Sequence, residues 1–206
     1  MGLLPKVNPQ RFRKFYIKQK GLGLTVTKSE ELLVFFNFLQ TDPDIQDIRW
    51  AAYMLATAHK ETSCSFKAAA KEILPKQIPG YATAIPVKDT IGCRGPVNAT
   101  YQNEYYGRGY VQLTHDRNYK AIGKAYGIGD ALYINPDRAY EPAIAYFAAS
   151  YGMRNGSYTG HSLSKHINGK HCNYKLARQI INGSNCDMEI AQIATRTEML
   201  LRLCVK

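Results

Sequence analysis

The chain has 206 residues, of which 45% are hydrophobic and 21% are charged, a composition typical of a globular protein and a length too short for two ordinary domains. The formal net charge of +11 at pH 7 predicts attraction to polyanions such as nucleic acid, anionic lipid or acidic wall polymers, without distinguishing among them. Five widely spaced cysteines without a CxxC pair argue against a disulfide framework or a zinc ribbon and favour a reducing cytosol.

The apolar runs of the sequence predict a soluble protein without an export signal. Basic residues and prolines interrupt residues 1–16, so no apolar run there is long enough for a signal peptide. No other stretch approaches the roughly 18 uninterrupted apolar residues of a membrane helix. We therefore expect a protein that does not insert stably into a membrane and stays in the cytoplasm where it is made. We also expect it to be a monomer.

Residues 1–25 are basic and are interpreted as a solvated arm or a short helix, after which helical patterns follow. A capping-box pattern of Thr27 and Glu30 predicts the start of a helix that carries an apolar run and ends at an Asp-Pro pair near residue 42. A second, buried helix is predicted over about 45–59, because apolar residues recur there at helical spacing. The first third of the chain is therefore predicted to be helical.

The middle of the chain breaks this pattern. Prolines, glycines and short β-branched runs predict a small β-hairpin or loop lobe around residues 75–105. Helical signals then resume, with Asp187 predicted to cap the last helix. The sequence thus predicts one mainly α (α+β) domain over residues 1–206, with further helices over 118–126, 142–155 and 174–181.

Glu61 lies at the C-terminal end of the predicted buried helix and Glu72 follows after one short segment, so both could line a cleft between that helix and the middle lobe. Cleavage of a glycosidic bond needs such a pair, since one carboxyl protonates the leaving oxygen and the other activates water or attacks carbon. Taken by themselves, the residues favour a solvated surface, because Lys60 and Lys71 lie directly beside them.

A second candidate region is YYGRGYVQLTHDRNY, residues 105–119. Gly107 and Gly109 allow a tight turn around Arg108. Two tyrosines are followed by the neutral hydrogen-bonding residues Gln112, Thr114 and Asn118. Aromatic faces combined with neutral hydrogen-bonding groups suit a neutral sugar polymer. An ordinary strand and turn with a polar surface explains the same residues equally well.

Three motifs in this order resemble family 19 glycoside hydrolases, the group of plant-type chitinases and many phage endolysins. YYGRGYVQLTHDRNY is similar to that family's YYGRGPxQLTxxxNY motif, and WAAYMLATAHKETSCSF resembles the helix that ends in the family's His-Glu-Thr sequence. ARQIINGSN resembles an Ile-Asn-Gly segment across the same cleft. The resemblance spans about residues 50–200 and implies a lysozyme-like helical fold.

Carried over residue by residue, the resemblance implies that Glu61 is the general acid and Glu72 the general base. It implies an inverting reaction with carboxyls about 6.5–9.5 Å apart, and neither a metal nor a cofactor. Arg108 would be structural or would bias the carboxylates. The implied substrate-binding residues are Tyr106, Arg108, Gln112, Thr114, Asn118 and Asn182.

Two positions depart from the family pattern. Lys60 stands where the family usually has His before the acid, and Tyr110 replaces a common Pro. A cation beside Glu61 favours the charged form of that group, so burial would have to keep the acid protonated. We expect the change at Tyr110 to be tolerated.

The positive charge favours peptidoglycan, which carries lactyl and peptide carboxylates, over neutral chitin. The sequence is therefore interpreted as an endolysin-type hydrolase of β-1,4 N-acetylhexosamine bonds that waits in the host cytoplasm until it is released to the cell wall or periplasm. Nucleic acid is not expected to be its partner. A chitinase and a catalytically inactive wall-binding module remain alternatives.

Two further clusters allow other chemistry. Three histidines and a cysteine could supply zinc ligands, namely His161, His166, His171 and Cys172. Their spacing does not place them on one helix face. A nucleophilic pair of Cys64 and His59 could serve a peptidase or amidase. Cys64 is explained more simply as a small buried residue.

Overall fold

The computed structural model describes residues 6–19, 23–26, 28–68, 105–183 and 186–206, and these are mostly helical. This confirms the predicted fold class. Two compact units are present, residues 1–67 with 149–206 and residues 68–148. The predicted hairpin lobe around residues 75–105 lies outside the described residues except for Tyr105, and the single domain stays a prediction.

In chain order the α-helices are α1 (Pro9–Ile17), α2 (Ser29–Thr41), α3 (Ile48–Glu61), α4 (Asp116–Ala125), α5 (Ala131–Ile134), α6 (Pro142–Asn155), α7 (Leu163–His166), α8 (Tyr174–Ala177) and α9 (Asp187–Leu203). Three-ten turns cover Pro136–Tyr140 and Arg178–Ile180. Strands β1 (Ile167–Asn168) and β2 (His171–Cys172) pair antiparallel, with Ile167 opposite Cys172. Within the described ranges, every helix is too short or too polar to cross a bilayer.

Two predicted helix starts are wrong in detail. At α2 the N-cap position is occupied by Lys28, without a side-chain cap bond, instead of by Thr27 as the capping-box pattern predicted; Thr27 lies outside the described residues. At the start of α9, Cys186 is the N-cap in a left-handed conformation, and Asp187 is already the first helical residue. The carboxylate of Asp187 still lies in the first turn, where its negative charge interacts favourably with the helix dipole.

Helix α3 is the centre of the first unit, since every residue from 51 to 59 is buried. It begins where the Asp47 carboxylate accepts a hydrogen bond from the amide of Arg49, and it packs against α9. It starts and ends later than the predicted range of about 45–59, and Glu61 is its last residue, at the C-terminal end of the helix as predicted. The burial of α3 therefore fixes where the Glu61 backbone leaves the core.

The aromatic part of this core comes from α1 and α2 and from the segment that follows α3. Phe12 stacks on Phe36 with ring centroids 4.9 Å apart. Phe66 meets both Tyr16 and Phe35 at about 6 Å, in tilted and edge-on geometries that suit aromatic pairs. The chain after Glu61 is therefore anchored back on the same core.

Candidate active site

Glu61 ends α3 with its side chain only 16% exposed. One carboxylate oxygen accepts a hydrogen bond from Nη1 of Arg178 at 2.6 Å. The Arg178 side chain is 4% exposed. Glu61 is therefore a partly buried carboxylate in an ion pair and does not extend into bulk solvent.

Arg178 is held in place by the turn on which it lies. It opens the three-ten turn Arg178–Ile180, directly after α8. The hydroxyl of Tyr53 in α3 donates to the carbonyl of Ala177 at 2.7 Å, and the Tyr53 ring lies nearly parallel to that of Tyr174. Burial raises the pKa of Tyr53 to about 12, so this hydroxyl keeps its proton as a donor. Helix α3 thus positions both members of the ion pair.

Lys60, the departure from the family pattern, turns away from this pair. Its ammonium contacts the Glu189 carboxylate of α9 at 2.7 Å. That hydrogen bond raises the pKa of Lys60. The extra cation next to Glu61 in sequence is therefore balanced by a carboxylate of another helix.

The chain turns sharply directly after Glu61. The Thr62 hydroxyl donates to the carbonyl of Ala58 at 2.7 Å and accepts from the amide of Phe66 at 2.9 Å. Ser63, Cys64 and Phe66 all have positive φ, a conformation that is costly for residues other than glycine. Thr62 stabilises this strained turn.

Glu72, the predicted general base, lies outside the described residues. Its role and the separation of the two carboxyls stay predictions. Asn182 is exposed, and its backbone N–H donates to the backbone carbonyl of Arg178 at 3.0 Å. This places Asn182 one turn after the arginine that binds Glu61.

The loop 105–115 of the second unit forms the tight turn that its glycines predict. Arg108 and Leu113 pair as an antiparallel bridge, with the Leu113 amide 2.8 Å from the Arg108 carbonyl. Gly109 has φ +75°, and a Cβ there would lie 2.9 Å from the Ala139 carbonyl oxygen. Any larger residue at Gly109 would therefore need both a strained backbone and displaced neighbours.

The predicted sugar-binding residues of this loop share short local contacts. A Cβ on Gly107 would meet Oε1 of Gln112 at 2.7 Å, so the glycine makes room for that side chain. The Gln112 amide donates to the carbonyl of Gly109 at 3.1 Å, and the Asn118 amide donates to the carbonyl of Thr114 at 2.9 Å. These residues are partly buried, and their contact with a sugar stays a prediction.

Arg108 is a buried structural residue of the second unit. Its Nε lies 2.9 Å from an Asp137 carboxylate oxygen, and its Nη1 lies 3.1 Å from the Tyr119 hydroxyl. The guanidinium also stacks over the Tyr106 ring at 3.6 Å, a favourable cation–π arrangement. Of the two roles expected for Arg108, these contacts support the structural one, and they hold Tyr106 in position.

His59 and Cys64 do not form the arrangement of a thiolate and an imidazolium. His59 is 3% exposed, and its Nδ1 lies 3.3 Å from the Tyr16 hydroxyl. Burial lowers the pKa of His59 to about 4 and raises the pKa of the Cys64 thiol. Both groups are therefore neutral near pH 7, opposite to what a cysteine nucleophile requires.

The burial of His59 predicts that stability falls in mild acid. Its pKa is lowered from 6.5 to about 4, so between these values the unfolded chain binds a proton that the folded chain does not. Stability should therefore decrease as the pH falls through this window, by about 3 kcal/mol in total from this group. Urea unfolding near neutral pH and at pH 4 measures the difference.

His59→Gln should reduce this pH dependence, whereas His171→Gln, at an exposed histidine, should leave it unchanged. His166 contributes in the same direction, since burial also lowers its pKa. An undiminished acid loss in His59→Gln would show that the buried imidazole is not its source.

The histidine-rich segment forms a pair of imidazoles. His161 Nδ1 lies 2.9 Å from His166 Nε2, and the rings are parallel with centroids 5.1 Å apart. One ring therefore donates an N–H hydrogen bond to the other. Among the residues that the structure describes, no group of three or more His, Cys, Asp or Glu is placed to hold a metal ion.

Comparison with known proteins relates the chain to chitinases. An acidic 26 kDa endochitinase of Solanum lycopersicum is 46% identical over 48 residues, which is 23% of this chain and 19% of that protein. Acidic endochitinase pcht28 of Solanum chilense matches to the same extent. The match therefore spans about a fifth of the length of these curated relatives.

Solved structures share the fold. Chitinase C from Streptomyces griseus HUT6037 aligns with a TM-score of 0.57 and 24% identity over 98% of this chain and 94% of that one. The class IV chitinase from Zea mays aligns with a TM-score of 0.54 and 18% identity over 94% of this chain and 90% of that one. The family model described as Chitinase class I matches residues 34–204. With most of its length matched by that model, the chain belongs to the family 19 glycoside hydrolases.

Proposed function

We propose that this chain hydrolyses β-1,4 bonds between N-acetylhexosamines of bacterial peptidoglycan, with Glu61 as the general acid. The observation that carries the proposal is the partly buried Glu61 carboxyl, held by Arg178 at 2.6 Å at the end of a buried helix. A general acid must be positioned before it can act on a bound substrate. The family membership supplies the reaction class.

In the proposed reaction, Glu61 acts in its protonated form, whose carbonyl oxygen can still accept from Arg178, and donates its proton to the oxygen of the leaving sugar. Glu72 activates a water molecule on the opposite face of the sugar ring, which inverts the anomeric carbon. Gln112, Thr114 and Asn118 hold the water and the sugar, with Tyr106 and Asn182 further along the groove. Each of these roles follows from the family resemblance and is part of the proposal.

The net charge of +11 supports peptidoglycan as the substrate, because this polymer carries carboxylates and chitin does not. We further propose an endolysin setting, in which the protein acts from the host cytoplasm on the wall once it is released. Chitin is the second candidate substrate, and the names of the related endochitinases favour it.

Purified peptidoglycan and chitin, digested in parallel, test the proposal. We expect new reducing ends from peptidoglycan, at a higher rate than from chitin, and mass analysis of the products identifies the bond that is cut. A preference for chitin would transfer the assignment to the chitinase alternative. Free amino groups without reducing ends would indicate a peptidase, and binding without any product would indicate an inactive wall-binding module.

A further inference from the structure

A cleft lies at the opposite end of α3 from Glu61. It has a volume of about 610 Å³ and includes Trp50 and Gly169 in its lining. Trp50 and Glu61 are eleven positions apart on one helix, which corresponds to about 16 Å along its axis. Trp50 is therefore too distant to contact the sugar on which Glu61 would act.

Trp50 is the single tryptophan of the chain. Its indole N–H donates to the carbonyl of Ile167 in β1 at 2.8 Å. This bond fixes the orientation of the ring against the strand pair. The cleft thus has a rigid aromatic wall, which loses little conformational freedom when a ligand binds.

Two arginine side chains lie near this wall, and each forms an ion pair with a neighbouring carboxylate. Arg49 forms a fork with the Asp47 carboxylate at 2.6 to 3.1 Å. Arg202 binds Glu198 through two nitrogens at 2.7 and 2.9 Å. Because these contacts preset the side chains, the cleft is organised before a ligand arrives.

The charges of the lining indicate which ligand it suits. Asp44 and Asp47 balance Arg49 and Arg202, so the cleft has no excess charge to attract a polyanion. A tryptophan surrounded by carboxylate, amide and guanidinium groups provides apolar contact and many hydrogen bonds together. These properties suit the hydroxyl and acetamido groups of a sugar backbone, which peptidoglycan and chitin share.

We propose that this cleft is a second, non-catalytic binding site for an N-acetylhexosamine chain. The identity of the polymer rests on the proposed function. A strand bound here keeps the enzyme on insoluble polymer and raises the local concentration of substrate at the distant Glu61. Hydrolysis of the insoluble polymer therefore depends on the cleft, whereas hydrolysis of short soluble oligomers does not.

Fluorescence of Trp50, excited selectively, reports on this cleft alone because the chain has no other tryptophan. The experiment titrates the full-length Glu61→Gln protein with soluble N-acetylglucosamine oligomers. We expect a saturable change in emission that varies little with salt. Adding Arg202→Ala should weaken this binding roughly tenfold, equivalent to about 1.4 kcal/mol, and Gln46→Ala should also weaken it.

The matched control is Arg138→Ala, which removes another arginine that pairs with a nearby glutamate, Glu141, at 2.9 Å. Arg202 is 54% exposed and Gln46 is also exposed, so both variants should fold, which urea unfolding verifies. The control should leave the titration unchanged. An equal effect of Arg138→Ala and Arg202→Ala, or no effect of Arg202→Ala, would overturn the site.

Activity separates this proposal from the proposed function. With Glu61 intact, Arg202→Ala should slow hydrolysis of insoluble polymer and spare that of soluble oligomers. If the wild-type protein cleaves nothing but Trp50 still reports binding that Arg202→Ala weakens, the hydrolase proposal fails and the site stands. Absence of any Trp50 response at millimolar oligomer overturns the site while leaving the hydrolase proposal intact.

Discussion

Glu61→Gln is expected to lower the release of reducing ends from peptidoglycan by roughly 10² to 10⁴, the usual contribution of a general acid or base. Glutamine has the shape of glutamate, and its carbonyl oxygen can still accept the 2.6 Å bond that Arg178 donates to Glu61. The amide cannot deliver a proton to a leaving oxygen. The loss should therefore appear in the rate of cleavage while binding to the polymer is kept.

Glu141→Gln is the matched control for this variant. Glu141 also accepts a hydrogen bond from an arginine, Arg138, at 2.9 Å, but its side chain is half exposed. Its replacement should leave the rate unchanged. Full activity in a correctly folded Glu61→Gln protein would remove Glu61 from the mechanism, and weaker polymer binding would give it a binding role instead.

Apolar periodicity predicted the helices well and their first residues less well. The pattern in α3 correctly indicated a buried helix, because nearly every face of it is covered. It placed the helix end at residue 59, whereas the helix continues to Glu61. Polar residues in the last turn give no apolar signal, so periodicity alone could not fix the last helical residue, although Glu61 was expected at the C-terminal end of the helix.

Capping patterns were less informative because neighbouring residues compete for the same position. Thr27 and Glu30 had the spacing of a capping box, but Lys28 became the N-cap of α2. Cys186 likewise took the position predicted for Asp187. Tertiary packing decides such one-residue shifts, and a local motif does not contain that information.

Of the two residues in the candidate ion pair, the sequence identified the glutamate but not the arginine. The motif resemblance led to Glu61, but Arg178 is 117 positions away, and no local spacing connects the two residues. The signal that could have found Arg178 is an arginine within the apolar segment LARQII. A charged residue in such a segment is rarely buried unless it has a partner.

Arg178→Met is expected to lower the free energy of unfolding by about 3–5 kcal/mol, the usual cost of removing one partner of a buried ion pair. Methionine fills similar space but leaves the partly buried Glu61 carboxylate without its 2.6 Å contact. Urea unfolding at pH 7 measures the loss. Arg202→Met is the control, because that arginine is 54% exposed and its pair should contribute little.

A double variant separates the ion pair from the packing of Arg178. Glu61→Gln already replaces the carboxylate with an uncharged amide, so adding Arg178→Met should cost clearly less than it does in the wild-type chain. The difference between the two costs is the coupling energy of the pair. Equal costs would mean that Arg178 stabilises the turn after α8 through its own packing, and that Glu61 is oriented without it. A large coupling would show that one contact both stabilises the fold and positions the proposed acid.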